Sequence, residues 1–183
     1  MKIKANGIQI NYEVEGDGPW LVMSHSLACD LHMWDEQLPA LKGKYRVLRF
    51  DTRGHGGSDA PDGAYTLDML ADDLHGLLAA MKVERPHFVG LSMGGMIGMT
   101  YALKHPGTLR SLVLCDTSSR IPPEALPVWQ ERIQTVAAGN KIRNHLPDGP
   151  EQVARDAAMA AGAADWSIGA SAWVYDHDAL AAR

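Results

Sequence analysis

The chain has 183 residues, 46% of them hydrophobic and 21% charged, which gives one main domain with a sizeable core and excludes a disordered or fibrous protein. A net charge of -5 without a lysine or arginine block argues against nucleic acid or an anionic membrane surface as the main partner, leaving small molecules. The first residues, Met1 to Gly7, hold no apolar signal segment, and no later run approaches the roughly 18 apolar residues of a membrane span, so a cytoplasmic location is expected.

Ile3, Ala5, Ile8, Ile10, Tyr12 and Val14 alternate with polar residues around Asn6-Gly7, the pattern of a two-stranded hairpin. After the Gly16-Asp17-Gly18-Pro19 turn, Trp20-Leu21-Val22-Met23 is continuously apolar, as in a central strand covered on both faces. It ends at Ser24-His25-Ser26-Leu27. Trp34, Leu38 and Leu41 follow at helical spacing and are expected in the core. Tyr45 to Phe50 is the next strand, and Asp51-Thr52-Arg53-Gly54-His55-Gly56-Gly57-Ser58 leaves its carboxyl end, where ligands of open α/β sheets bind. Arg53 offers a planar fork to an anionic substrate group; alternatively Asp51, Arg53 and His55 tie the loop down among themselves. No G-K-[ST] follows these glycines, so they are not a phosphate cradle.

Thr66 is placed to cap a helix whose Leu67, Leu70, Leu74, Leu77, Leu78 and Met81 share one face, with Asp68, Asp72 and Asp73 expected on the solvated side or early turns. Next comes Phe88-Val89-Gly90-Leu91-Ser92-Met93-Gly94-Gly95-Met96, a strand-like run that turns into a helix through G-x-S-x-G. Glycines two residues either side of Ser92 permit a sharp turn that exposes the hydroxyl, and the first amides of the helix face the same spot. Met93 N–H is therefore a candidate oxyanion donor. Leu109 to Leu114 make a further strand, closing at Cys115-Asp116-Thr117-Ser118. A hairpin followed by alternating strands and helices predicts an α/β protein with a doubly wound, mostly parallel sheet.

From Ile121 the texture becomes helical. Pro122-Pro123 opens a helix with Leu126, Trp129, Ile133 and Val136 on one stripe, a second is expected from Pro150 through Met159, and a third from Asp165 to the end. The expected division is 1–119 for the core and 120–183 for a helical cap. Cys29 and Cys115 lack metal spacing and read as reduced, buried thiols, and no metal or cofactor is called for.

Taken together, Ser24-His25-Ser26-Leu27, Trp34, D-x-R-G-H-G-x-S and Gly-Leu-Ser-Met-Gly-Gly-Met resemble the α/β-hydrolases, and among them the 3-oxoadipate enol-lactonases of the haloperoxidase-like esterase branch. The resemblance covers about Met1 to Ser119. It implies a serine hydrolase of a carboxylic ester or lactone, with Ser92 as nucleophile and the backbone N–H of Leu27 as the second oxyanion donor. It also implies a cap roofing the pocket, which makes Trp129 a candidate substrate contact beside Arg53 and His25. His25 itself, at a strand end, is read as orienting its loop through a hydrogen bond rather than as moving a proton.

A serine needs a base, and that base an orienting carboxylate, in the order Ser, acid, His. In the resembled enzymes both come from strands beyond the cap, and no such strands are legible here. His177 has the right order, with Asp165, Asp176 and Asp178 nearby, but adjacent residues of one helix point apart. The fold class expected is thus an α/β-hydrolase core without its C-terminal strands. Leu112 to Leu114 would then form an open apolar edge, which predicts self-association through that edge or the cap. Two rival functions stay open: a carboxylesterase of the same fold acting on another ester, and a catalytically silent binding or assembly module.

Overall fold

The computed structural model describes residues 1–120, 123–137 and 173–176. Strands β1 (Lys2–Ala5) and β2 (Ile8–Glu15) are joined by a two-residue turn in which Asn6, at φ 44°, and Gly7, at φ 82°, both take the left-handed backbone that matches strand twist. Strands β3 (Trp20–Ser24), β4 (Arg46–Phe50), β5 (His87–Leu91) and β6 (Ser111–Cys115) pair in parallel. With β7 (Trp173–Asp176) at the far edge, the sheet has 7 strands in the order β1-β2-β4-β3-β5-β6-β7. The chain steps from β3 to β4 on one side and then crosses to β5 on the other, so the order reverses at β3. Ligand crevices open at such a reversal.

Register brings the loops to one place. Ser24 lies opposite Phe50 and Gly90, and Leu91 opposite Cys115, so the carboxyl ends of four parallel strands stand level. Residues 25–30, 51–58, Ser92 and 116–119 therefore leave the sheet at the same end.

Both faces of β3 are buried, which explains its unbroken apolar sequence. Val22 packs with Leu48, Phe50 and Phe88 under α2 (Leu67–Ala80) and α3 (Met93–Lys104), while Leu21 and Met23 join Val47, Trp34 and Leu38 on the other side. Thr66 caps α2 as expected, its hydroxyl accepting the Met69 N–H at 3.1 Å. The helix expected from Trp34 to Leu41 is broken into a 3₁₀ turn at Leu31–Trp34 and the short α1 (Leu38–Leu41). Pro39 cannot donate to a preceding turn, so it restarts a helix instead of continuing one.

Residues Trp173–Asp176 correct the sequence reading. The sequence places them in the last cap helix, whereas they form β7, antiparallel to β6, with Leu114 opposite Trp173 and Ser111 opposite Asp176. The aromatic and β-branched run Trp-Val-Tyr suits a strand, and the backbone N–H and C=O groups along β6 require partners. The edge at Leu112 to Leu114 is consequently paired, and self-association through it loses its basis.

The chain divides into two units, residues 1–119 together with Ala170–Arg183, and Arg120–Gly169. In the second, a 3₁₀ turn at Pro123–Ala125 leads into α4 (Leu126–Ala137), the helix that the stripe through Leu126 and Trp129 predicts. The helix expected from Pro150 through Met159 lies outside the described residues, as does His177. Among the described residues no helix is long and apolar enough to cross a membrane.

Candidate active site

Ser92 sits where β5 ends and α3 begins, with φ 51° and ψ -112°, a left-handed backbone that side chains seldom adopt. Such a conformation costs about 1–3 kcal/mol and persists only when its surroundings impose it. They do so from both sides of the residue. Its N–H donates to Cys115 O at 2.9 Å, and its carbonyl accepts the N–H groups of Gly95 at 3.0 Å and Met96 at 3.1 Å and the Thr117 hydroxyl at 2.7 Å. Ser92 is half-buried, so it lies at the surface of the core and not within it.

The flanking glycines are demanded by close approach. A Cβ on Gly90 would lie 2.3 Å from Gly94 O, and one on Gly94 would lie 2.2 Å from Ser24 O. The bend folds β5 against the first turn of α3, and that turn against the end of β3. The Met93 and Gly94 amides open the helix and have no acceptor within it, the usual source of anion-stabilising donors at a helix start.

A second loop, residues 25–30, emerges beside this turn and is fixed from the D-x-R-G-H-G-x-S segment. The Asp51 carboxylate accepts the Leu31 N–H at 2.7 Å, the Asn11 side-chain amide at 2.8 Å and the Gly57 N–H at 2.7 Å. The Ala28 N–H donates to Nε2 of His55 at 3.3 Å, and Ala28 has φ 59°. Leu27, just before it, is 36% exposed.

His25 has no surface to offer a substrate, which corrects its place among the candidate contacts. It is 0% exposed; Nδ1 donates to Ser26 O at 2.7 Å and Nε2 accepts the Thr52 N–H at 3.0 Å. A carbonyl only accepts and an amide N–H only donates, so this pair of bonds defines a neutral ring with its proton on Nδ1. Burial, the largest influence, together with His55 holds its pKa below the ordinary 6.5. The loop-orienting reading describes this geometry.

Arg53 is likewise turned into the fold. Its Nε and Nη2 donate to Asp73 of α2 at 2.8 and 2.6 Å, and Nη2 also reaches Asn6 O at 3.3 Å. The hydrogen bonds to Asp73 raise its pKa further. The guanidinium is thus committed to Asp73 rather than held out as a fork for substrate, while the loop is also tied within itself, the Arg53 carbonyl accepting from His55 Nδ1 at 3.1 Å. Asp73, expected on the solvated side, is 3% exposed and also accepts the Asn6 side-chain amide at 2.7 Å. No periodicity could reveal this pairing, because its members lie on three separate elements.

Cys29 and Cys115 are free, and burial, aided by Asp30 and Asp116 respectively, pushes both thiols up and keeps them protonated. Among the described residues, no cluster of three or more histidine, cysteine, aspartate or glutamate side chains is placed to hold a metal ion. The hydrogen bonds of Ser92 among these residues run through its backbone. Trp129 is half-buried on α4.

A strand–serine–helix turn held by the next strand, at the level carboxyl ends of a parallel sheet, defines an α/β-hydrolase core. The chain belongs to that family: the alpha/beta hydrolase fold matches residues 19–161. It is 35% identical over 136 residues to 3-oxoadipate enol-lactonase 2 of Acinetobacter baylyi, covering 73% of this chain and 50% of that protein. It is 37% identical over 119 residues to a fluoroacetate dehalogenase of Burkholderia sp., covering 62% and 39% respectively. The crystal structure of an enol-lactonase from Burkholderia xenovorans superposes with a TM-score of 0.70 at 35% identity, over 89% of this chain and 65% of that one. The chain spans about half the length of the enol-lactonases it matches.

Proposed function

We propose that this chain carries the nucleophile and oxyanion half of a serine hydrolase acting on a carboxylic ester or lactone, an enol-lactone such as that of 3-oxoadipate first among them. The observation that carries the proposal is Ser92 itself, half-buried, held at φ 51° and followed by the opening amides of α3. In this reading Ser92 Oγ attacks the acyl carbonyl. The Met93 and Leu27 N–H groups receive the developing oxyanion, and the ring oxygen of the lactone leaves to give an acyl-enzyme. Water then attacks the acyl carbon, Ser92 is regenerated, and the free acid departs. The acid and base that move the protons are not assigned to any described residue. With the oxyanion donors acting alone, a rate roughly 10³-fold over water is expected, by analogy with serine hydrolases stripped of their triad.

Trp129 is proposed as an apolar contact for the substrate, and Trp129→Ala is expected to raise KM. Self-association through the cap is supported by the exposed Leu126, Val128 and Ile133 of α4; a monomer by light scattering removes it. The central test is labelling by a serine-directed phosphonate probe. Labelling of the parent and none of Ser92→Ala supports the proposal, whereas equal labelling of both removes Ser92 from the mechanism. A panel of enol-lactone and short aryl esters then separates lactonase from carboxylesterase, and ligand binding with no turnover favours the silent module.

A further inference from the structure

Thr117 has no place in the sequence reading beyond the end of a strand, yet it makes the shortest hydrogen bond to Ser92, from its hydroxyl to the Ser92 carbonyl at 2.7 Å. It follows Asp116, whose φ of 40° turns the chain sharply as it leaves β6. Two residues earlier, Cys115 O accepts the Ser92 N–H. Residues 115 and 117 therefore grip the strained residue by both of its peptide groups.

The fit against α3 is equally close. A Cβ on Gly95 would stand 2.5 Å from the Thr117 methyl carbon, so the helix approaches this side chain where only glycine fits. The Gly95 and Met96 N–H groups bond the same Ser92 carbonyl. The Thr117 hydroxyl is thus a third donor on one oxygen, and Thr117 is β-branched and stiff about χ1.

We propose that Thr117 is a positioning residue: its hydroxyl locks the Ser92 carbonyl, and so fixes the left-handed turn that aims the serine Oγ past the opening amides of α3. The catalytic consequence rests on Ser92 being the nucleophile proposed above. The positional one does not. Thr117→Val keeps the shape and deletes the donor, while Thr117→Ser keeps the donor.

The phosphonate probe reads the catalytic consequence, with its maximal inactivation rate and its half-saturating concentration measured separately. Thr117→Val should lower the inactivation rate about tenfold at unchanged half-saturation, since small misplacements of a reacting group cost that much or more. Thr117→Ser should restore it. Hydrogen exchange of the Gly95 and Met96 amides, compared with core strands in the same sample, reads the position independently of any reaction. Both amides should exchange faster in Thr117→Val and at the parental rate in Thr117→Ser. Parental inactivation and parental exchange in Thr117→Val overturn the proposal, as does equal slowing in the valine and serine variants, which would assign the effect to shape. If the parent labels no better than Ser92→Ala, the hydrolase reading fails and the exchange result alone decides. Should the valine variant unfold, Thr117→Ala repeats both measurements.

Discussion

The Thr52 N–H points at Nε2 of His25 across 3.0 Å, and this bond dictates which form of the imidazole the fold accepts. A proton on Nε2 would face an amide hydrogen, in a site 0% exposed.

The pH dependence follows. His25 and His105 both lie below the ordinary 6.5, His25 through burial and His55, and His105 through burial and the stacked His75. The unfolded chain therefore binds more protons than the folded one below about 6.5, and stability falls as pH drops from there toward the folded values. Urea midpoints should decline between pH 7 and pH 5. His25→Gln should flatten that decline, although it lowers stability at pH 7.

The second expectation concerns Arg53 and Asp73. Removing one partner of a buried pair leaves an uncompensated charge, so Asp73→Ala should cost about 3–5 kcal/mol in denaturant unfolding. Arg53→Met combined with Asp73→Leu should cost less than the two single changes added together. An Arg53 that served substrate would instead change KM with stability intact.

Ser92 offers a direct trade between strain and chemistry. Glycine relaxes a positive φ that alanine must also bear, so Ser92→Gly should be more stable than Ser92→Ala by about 1 kcal/mol. Neither variant should label with the phosphonate probe. Equal melting temperatures would show that the turn is unstrained.

At the start of α2, Thr66→Ala should lower stability by about 1 kcal/mol through loss of the Met69 cap, and Thr66→Ser should recover most of it. Thermal unfolding reads both.

The parts legible from residues alone were those with local causes. Asn6-Gly7 dictates its own turn, Trp20 to Met23 advertises burial on both faces, and Thr66 caps the helix beside it. What escaped was decided by partners far along the chain. Asp73 looks solvated when α2 is taken alone; Arg53, 20 residues away, and the Asn6 side chain make its burial tolerable. Trp173 to Asp176 sit in an alanine-rich stretch that reads as helix, and only the waiting edge of β6 makes them a strand. At the site, G-x-S-x-G pointed to Ser92, but nothing in five letters points to Cys115 or Thr117.

That last point says what kind of object the serine turn is. A synthetic peptide spanning Gly90 to Gly94 would shed the unusual backbone angle at once, because the neighbours that impose it include a carbonyl at the end of β6 and a hydroxyl from the loop that follows it. The geometry is on loan from the assembled sheet. Any injury that loosens β6, however distant in sequence, should be felt first at Ser92, which makes this residue a sensitive reporter of whether the protein is whole.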